Sequence, residues 1–484
     1  MIETTGSNFA ANGNTTLGIN GLHKATVQKV NMDNNQRSNI GYLGRASYSY
    51  DDRYFFTGSY RRDGASVFGV NQKWGDFFAF GGAWRLSSEK FMSSISYLDD
   101  LKLKLSWGKN GNQGLDPYGT LSTINNGASG GVRYEFGGSD IIYGLNQKAL
   151  GNANLGWETT ESWNTGFESA WLGSRLFVDL DLYFSKTTDQ IFTRDIPVMT
   201  GFKNMKSSMG QVNNRGVELT IRSVNIDTQD WYWTTNLTFW LNRNKLIHLY
   251  GEDLDGDGRE DDDISNSRFI GKPLGAIYGY LQDGIVQETD VEYMKANGAT
   301  PGIPKYKDMD NDGVITSADR IILGYSTPNF KLNMSNTITY KNWDLYFMLT
   351  GTFGGGGYYQ KSNKGAYLTN GSGRFNTNGI YIPWWTPENK SNEYPAATFN
   401  DDGGRFLGLQ NRAFVRLQDV TLSYTFREPW VQKVNIQNLK VFFTAKNLFT
   451  ITKWQGGDPE VGVTVSENTY PVLTSFSLGA NISF

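Results

Sequence analysis

The sequence contains no cysteine and only two histidines among its 484 residues. Without cysteine there is no disulfide framework and no thiolate zinc site. His23 and His248 stand far apart and lack a neighbouring motif, which argues against histidine-dependent nucleophilic or zinc chemistry. Carboxylates are plentiful, so a glycosidase pair is not excluded by number, but no spacing marks one pair. The sequence therefore favours a protein that is not an enzyme.

Long apolar runs and an excess of one charge are missing as well. No segment approaches the roughly 20 consecutive apolar residues that a transmembrane helix needs. The formal net charge is −3, so there is no basic excess to indicate nucleic-acid binding. A membrane location would therefore require a β-barrel, the other structure that satisfies every backbone polar group in lipid.

What the sequence does have is period-two alternation. Apolar residues occupy every second position in several segments, among them Leu176, Val178, Leu180, Leu182 and Phe184. The same alternation occurs over 101–107, 439–445 and 476–484. About ten alternating residues is the length of a tilted membrane-spanning strand, whereas soluble strands average about five to six. Aromatic residues make up 14% of the chain and crowd the strand ends, as they do at membrane interfaces.

The connections between these segments alternate between short and long. The short ones lie at 51–52, 171–174, 225–230 and 341–342, and the long ones at 111–156, 187–213, 242–327 and 354–412. Outer-membrane barrels combine short periplasmic turns with long outer loops. We therefore predict an all-β, antiparallel transmembrane barrel of about 14 strands in this chain. The predicted strands are 14–30, 39–50, 53–62, 76–86, 99–109, 158–170, 175–186, 214–224, 231–242, 328–340, 342–353, 414–426, 438–449 and 472–484.

Several segments, in order and across nearly the whole chain, resemble the SusC/RagA branch of TonB-dependent outer-membrane transporters. They are residues 39–45, 54–64, 101–111, 151–159, 213–219, 271–279, 308–316, 323–324 and 327–330. The resemblance implies a 22-stranded barrel with an N-terminal plug, a SusD-like lipoprotein partner and energy supplied through TonB. The implied cargo is a glycan or a peptide too large for porins, and the implied location is the outer membrane.

The chain departs from this family at its beginning. Residues 1–11 do not resemble a signal peptide, and about eight strands, the plug and the TonB-contacting segment have no counterpart. We therefore expect 1–484 to be the C-terminal part of the barrel, with 242–327 as one long extracellular loop. A final strand that ends in Phe484 resembles the signal that outer-membrane assembly machinery reads.

One outer loop carries the spacing of an EF-hand-type calcium site. Oxygen side chains occupy loop positions 1, 3, 5, 9 and 12, glycine occupies position 6, and position 7 offers a backbone carbonyl. The residues are Asp308, Asp310, Asp312, Thr316 and Asp319, with Gly313 at position 6 and Val314 at position 7. Position 12 is Asp rather than the usual bidentate Glu. The alternative is a solvated acidic turn.

A second calcium candidate lies earlier in the same connection. It comprises Asp253, Asp255, Asp257 and Asp261, and Ile264 stands where the closing ligand would be. A bound Ca²⁺ in either loop would have a structural role, because it would order a long segment that is entropically costly to fix.

Three tryptophans in outer loops are candidates for contact with substrate or with a lid protein. Aromatic faces at Trp384, Trp385 and Trp454 are suited to stacking on sugar rings, but packing within the loops is the alternative. Lumen-facing charges at Lys102, Lys104, Asp179 and Asp181 either line a transport path or hydrate the wall.

Two other function classes fit part of these observations. One is a calcium-stabilised extracellular β-protein that acts as an adhesin or glycan-binding module. The other is a soluble glycan-active enzyme on a β-scaffold. A continuous apolar belt about 25 Å tall on the outer face of the strands would favour the transporter over both.

Overall fold

The structure is a computed structural model of the chain. It describes residues 2–9, 27–126, 133–134, 142–143, 145–202, 204–357, 383–396, 399, 409–427, 429–433, 436–454, 458–460 and 472–484. His23 and most of the predicted strand 14–30 lie outside these residues.

The described residues form one antiparallel sheet of thirteen strands in which each strand pairs with its neighbours in the sequence. This up-and-down order needs no crossover connection. The strands are β1 (Asn39–Tyr50), β2 (Tyr54–Ala65), β3 (Trp74–Arg85), β4 (Leu98–Asn112), β5 (Glu158–Trp171), β6 (Leu176–Asp195), β7 (Asn204–Asp227), β8 (Trp231–His248), β9 (Pro328–Tyr340), β10 (Trp343–Gly354), β11 (Phe414–Phe426), β12 (Asn438–Thr452) and β13 (Ser475–Ser483).

The predicted alternation places apolar and polar side chains on opposite faces of this sheet. Leu180 on β6 is paired with Leu219 on β7, which is paired with Phe239 on β8. The adjacent row pairs Asp181 with Glu218. Because successive residues of a strand point to opposite faces, one face is apolar over neighbouring strands and the other is polar. This is the arrangement of a barrel with lipid outside and water inside.

The short turns follow from backbone geometry. Asp51 and Asp52 both have φ of 51°, and they join β1 to β2. Two successive positive φ values characterise the type I′ turn, whose twist matches that of antiparallel strands. Lys341 also has positive φ, between β9 and β10. Asp, as at positions 51 and 52, adopts positive φ at lower cost than a β-branched residue does. The tight connections predicted from the sequence are therefore confirmed on one side of the sheet.

Two parts of the strand prediction were wrong. The predicted loop 187–213 is mostly strand, since β6 runs to Asp195 and β7 starts at Asn204. The apolar alternation ends well before these positions, but backbone pairing continues because a strand above the membrane needs no apolar face. For the same reason β8 extends to His248, so the connection predicted as 242–327 begins at 249.

The predicted first strand, 14–30, differs as well. The described residues Val27–Asn34 pair with Ile2–Phe9 in a separate two-stranded sheet and do not join the thirteen strands. Within the described residues, β1 and β13 are thus the two edges of the main sheet.

Short elements occupy the connections. The strands are Thr123–Asn126, Arg133–Tyr134, Ile142–Tyr143, Leu145–Ala149, Ala276–Tyr280, Gln282–Ile285, Pro304–Tyr306, Arg320–Tyr325, Gly356–Gly357 and Gln410–Asn411, and the α-helices are α1 (Val291–Asn297) and α2 (Pro429–Lys433). Single 3₁₀ turns lie at Leu86–Ser88, Lys90–Met92, Val198–Thr200, Ile264–Asn266 and Ser317–Asp319. In the part of the chain that the structure describes, no helix is long and apolar enough to cross a membrane.

Small apolar clusters hold the outer ends of the strands to their loops. One cluster joins Phe192 on β6, Val212 on β7 and Leu246 on β8 to Leu249, and Leu246 and Leu249 are fully buried. A second cluster is formed by Ala65, Val67, Phe68, Leu115 and Leu155. Burying a Leu or Phe side chain contributes about 1.5–3 kcal/mol. The loop bases are therefore packed structures and not open coils.

Candidate functional site

Charged side chains from three neighbouring strands meet on the polar face of the sheet. Lys104 Nζ on β4 lies 2.9 Å from Asp179 Oδ1 and 3.2 Å from Asp181 Oδ2, both on β6. Glu168 on β5 stands between these strands, 3.2 Å from Lys104 and 3.0 Å from Lys102. The structure thus brings together all four lumen charges singled out in the sequence.

Glu168 was missed by sequence reasoning. The neighbours of Glu168 follow from the strand register, which places it opposite Lys102 on β4 and opposite Asp179 on β6. Three carboxylates and two ammonium groups give the wall a local charge of −1. The side chains remain partly exposed, so they can interact with a solute or with another protein segment in the lumen.

The first acidic loop gathers three of its predicted calcium ligands. One carboxylate oxygen each from Asp308, Asp310 and Asp312 lies within 4.8 Å of the others. The loop is shaped by backbone N–H groups that donate to these carboxylates, such as Gly313 to Asp308 Oδ2 at 2.7 Å. Three converging carboxylate oxygens are the donor set that a hard cation such as Ca²⁺ prefers.

The other two predicted side-chain ligands accept hydrogen bonds from the backbone of the loop. Thr316 and Asp319 form a capping box on the 3₁₀ turn Ser317–Asp319. Both carboxylate oxygens of Asp319 accept backbone N–H groups, from Met309 and from Thr316 at 2.7 Å each. The Thr316 and Met309 backbone donors lower the pKa of Asp319. Asp319 is fully buried and braces the loop from within.

The electrostatics of the loop fit a cation as counter-charge. The backbone N–H of Asp312 favours the charged form of Asp310, but desolvation and the carboxylates of Asp312 and Asp319 raise the pKa of Asp310. A pKa raised by neighbouring like charges means that the carboxylates repel each other when no cation lies between them.

The second acidic loop is assembled in a similar way. Oxygens of Asp253, Asp255 and Asp261 lie within 4.8 Å of each other, whereas Asp257 is not part of this group. The adjacent Glu260 is desolvated, but the N–H groups of Gly251 and Leu249 donate to it and lower its pKa. The base of this loop is thus fastened to the end of β8.

The adjacent tryptophans of the loop before β11 have different surroundings. Trp385 is only 8% exposed, and its Nε1 donates to Gln287 Oε1 at 2.9 Å. Its backbone N–H donates to Pro395 O. Trp384 is half-buried, and its carbonyl accepts from the Asn389 side chain. Burial of the Trp385 ring favours the loop-packing alternative for this residue, and stacking at Trp384 stays a prediction.

Trp454 is also buried, at 6% exposure, just beyond the outer end of β12. Nearby, the buried Arg416 of β11 holds the following loop, because its guanidinium lies 2.6 Å from Asp458 Oδ1 and 3.0 Å from Glu460 Oε2. Arg412 donates to the carbonyl oxygens of Pro459 and Glu460. Ion pairs and buried rings therefore set the shape of this rim, a feature that the sequence pattern did not indicate.

Comparisons with known proteins agree with this architecture. Residues 3–448 match the family model described as TonB dependent receptor-like, beta-barrel. The TonB-dependent receptor SusC of Bacteroides thetaiotaomicron is 30% identical over 478 residues, which are 96% of this chain and 45% of that protein. The TonB-dependent receptor P3 of Formosa agariphila is 29% identical over 469 residues, or 93% of this chain and 46% of that protein. The chain thus spans about half the length of these curated relatives.

Solved structures show the same fold. The structure of the RagAB peptide transporter superposes with a TM-score of 0.75 at 24% identity and covers 95% of this chain and 49% of that chain. The RagAB peptide importer in its open-open state gives a TM-score of 0.76 at 23% identity, over 95% and 48% of the two chains.

Proposed function

This chain belongs to the TonB-dependent receptor β-barrel family and resides in the outer membrane, and from that premise we propose that the protein carrying it imports oligosaccharides or peptides. The observation that carries the proposal is the two-faced sheet, apolar outside and charged within. A solute that crosses the membrane meets the polar face, where Lys104, Glu168 and Asp181 provide both charge signs. The chain is not an enzyme, as the sequence predicts.

Energy and partners are part of the same proposal. We propose that a plug and a TonB-contacting segment, outside this chain, gate the barrel, and that a SusD-like surface lipoprotein covers its outer loops. Among the described residues, the connections that carry the most folded structure, between β4 and β5 and between β8 and β9, lie on one side of the sheet. A lid protein that contacts the barrel from outside would rest on these loops.

Uptake measurements test the transport proposal. The gene for the whole protein is deleted, and uptake of fluorescent oligosaccharides and of fluorescent peptides is compared with uptake of a monosaccharide that passes through porins. We expect loss of uptake of one polymer class, no change for the monosaccharide, and the same loss in wild-type cells after a protonophore. Unchanged uptake of every oligosaccharide and peptide tested would contradict the proposal.

We also propose that the loop of Asp308, Asp310 and Asp312 binds Ca²⁺ in a structural role, and that Asp253, Asp255 and Asp261 form a second, weaker site. Three carboxylate oxygens in each loop fit a hard cation, with Val314 O and water as further oxygen ligands of the first. The buried Asp319 keeps the first loop in shape.

Proteolysis in calcium or in chelator tests this site. We expect the segment between β8 and β9 to be cleaved faster in EGTA than in Ca²⁺. At cleavage sites within 304–319 the variant Asp310→Asn should behave in Ca²⁺ as the wild type does in EGTA, whereas the control Asp230→Asn, in a tight turn on the other rim, should not. Identical cleavage in Ca²⁺ and EGTA would show that the loop is a solvated acidic turn.

A further inference from the structure

A cavity of about 490 Å³ opens between the outer ends of β6, β7 and β8. Phe184 of β6 lines one side of the cavity, and Arg215 of β7 and Arg243 of β8 line the other. Its outer end is lined by Asn213, Lys245 and Pro273. The turn that contains Pro273 is fixed in place, because Leu246 N donates to Lys272 O and Gly271 N donates to Leu246 O. The cavity is therefore built from paired strands and an anchored turn.

The strand register places the basic side chains on the lipid face of the sheet. Phe184 is paired with Arg215, and Arg215 with Arg243. Two residues towards the periplasm, the corresponding row consists of Leu182, Val217 and Leu241. Residues two apart on a strand share a face. The arginines thus continue the apolar face and do not point into the lumen, where Tyr183 and Asn242 are hydrogen-bonded to each other at 2.9 Å.

The position along the strands is that of the outer membrane interface. Phe184 lies eight residues beyond Leu176, the first residue of β6 after a periplasmic turn. Eight residues at about 3.3 Å each span about 26 Å, and strand tilt reduces this to a height of about 20 Å. The apolar belt of such barrels is about 25 Å tall. On all three strands the apolar alternation ends at this row, and in this row Phe184 is paired with Trp163 of β5.

The basic groups of the cavity have no carboxylate partner among the residues that the structure describes. Within the described residues, no ion pair involves Arg215, Arg243 or Lys245, and both arginines and the lysine are exposed. Arg243 is oriented by its bonds to the carbonyl oxygens of Asn242 and Asn329. Guanidinium groups bind phosphate through two parallel hydrogen bonds, and such charge-assisted bonds are stronger than those between neutral groups. Cations at this height cost little to place, whereas at the midplane they would cost about 2–4 kcal/mol.

We propose that this cavity binds the phosphate-bearing headgroup of a lipid in the outer leaflet. Arg215 and Arg243 pair with the phosphate, Lys245 adds a third positive charge, and Asn213 offers an amide to a neighbouring hydroxyl. The acyl chains descend along Phe184, Leu182 and Val217, which lie on the same face. A free anion would use the basic groups only, but a lipid uses the basic groups and the apolar wall below them.

Native mass spectrometry of the intact, delipidated protein in a nonionic detergent tests the site. The probes are bisphosphorylated lipid A, the same lipid after phosphatase treatment, and inorganic phosphate. We expect the double variant Arg215→Gln/Arg243→Gln to bind lipid A at least tenfold more weakly than the wild type. Arg215→Lys/Arg243→Lys, which keeps both charges, should show a smaller loss. A control that removes two charges on the opposite rim, Lys90→Gln/Lys341→Gln, should bind as the wild type does.

The outcomes are separable. Heat-dependent gel migration shows whether each variant is folded, and the lysine variant provides the comparison should the glutamine variant fail to fold. The proposal would be overturned if the wild type bound dephosphorylated lipid A as tightly as lipid A. It would also be overturned if the folded glutamine variant bound lipid A as tightly as the wild type. Should the glutamine variant not fold, no loss of lipid A binding in the lysine variant would overturn it. Displacement of lipid A by inorganic phosphate at equal concentration would assign the cavity to a free anion and overturn the lipid assignment.

Discussion

Replacing Trp385 by alanine should loosen two outer loops at once. The ring is buried between the segment that follows β8 and the segment before β11. Ala396 N donates to Gly302 O, and Gly302 N donates to Val286 O, so the loops are joined beside the ring. A Cβ atom on Gly302 would lie 2.7 Å from Trp385 Cε3, which shows how closely the backbone approaches the indole.

The size of the effect follows from burial and from one hydrogen bond. Truncating a buried Trp to Ala costs about 3–5 kcal/mol. Because 1.4 kcal/mol is a factor of ten, the open state of the loops should become about a hundred to a few thousand times more populated. Trp385→Phe keeps most of the apolar contact but leaves Gln287 Oε1 without its indole donor, at a cost of about 1–3 kcal/mol.

Hydrogen exchange followed by mass spectrometry measures this opening directly. Peptides that cover 282–306 and 383–396 should exchange faster in Trp385→Ala by the factor above, and to a lesser extent in Trp385→Phe. Trp384→Ala is the matched control, since that ring is half-buried, and it should change exchange far less. Unchanged exchange in Trp385→Ala together with lost substrate binding would refute the packing role and restore the stacking one.

Three further predictions concern the sheet and the loops. Arg416→Gln leaves the buried Asp458 without its cation, so hydrogen exchange at 458–460 should become faster by an amount that corresponds to about 3–5 kcal/mol. Adding Asp458→Asn should restore part of the lost protection. No restored protection would mean that the two residues are not coupled. Leu180→Arg on the lipid face should destabilise the refolded barrel in urea titrations by about 2–4 kcal/mol, whereas Thr220→Arg on the polar face should cost less, and equal losses would contradict the assignment of faces. The Gln287 backbone N–H and, to a smaller extent, Lys305 lower the pKa of Asp290 below its ordinary 3.8. The contribution of the charged Asp290 to stability is therefore present above about pH 4 and lost as the pH falls further. Protection of this loop from hydrogen exchange should decrease with acidification in the wild type, and this pH dependence should be lost in Asp290→Asn.

Sequence reasoning was most successful where the pattern is local. Thirteen of the fourteen predicted strands overlap strands of the sheet, because alternation marks a strand and its buried face without knowledge of its partner. The turns at 51–52 and 341–342 were confirmed for the same reason. Strand ends were predicted poorly: β6 and β7 continue for about ten residues beyond the apolar alternation, since cross-strand hydrogen bonds do not depend on side-chain polarity.

The outer loops show the limit of the same reasoning. The spacing of Asp308, Asp310 and Asp312 indicated a cluster that the structure does bring together. The spacing did not distinguish these three residues from Asp319, whose oxygens accept hydrogen bonds from the loop backbone. The sequence also did not distinguish Trp384 from the buried Trp385.

By itself, then, the sequence determined the class of fold, the two faces of each strand and the side of the sheet that carries the long connections, because each is set by residues close together in the chain. The tertiary structure alone decided which residues become neighbours: Glu168 and Lys102, Arg416 and Asp458, and Arg215 and Arg243. Those contacts depend on strand register and on loops that fold back over long stretches of chain. A shift of register by one residue would exchange the faces and separate every pair.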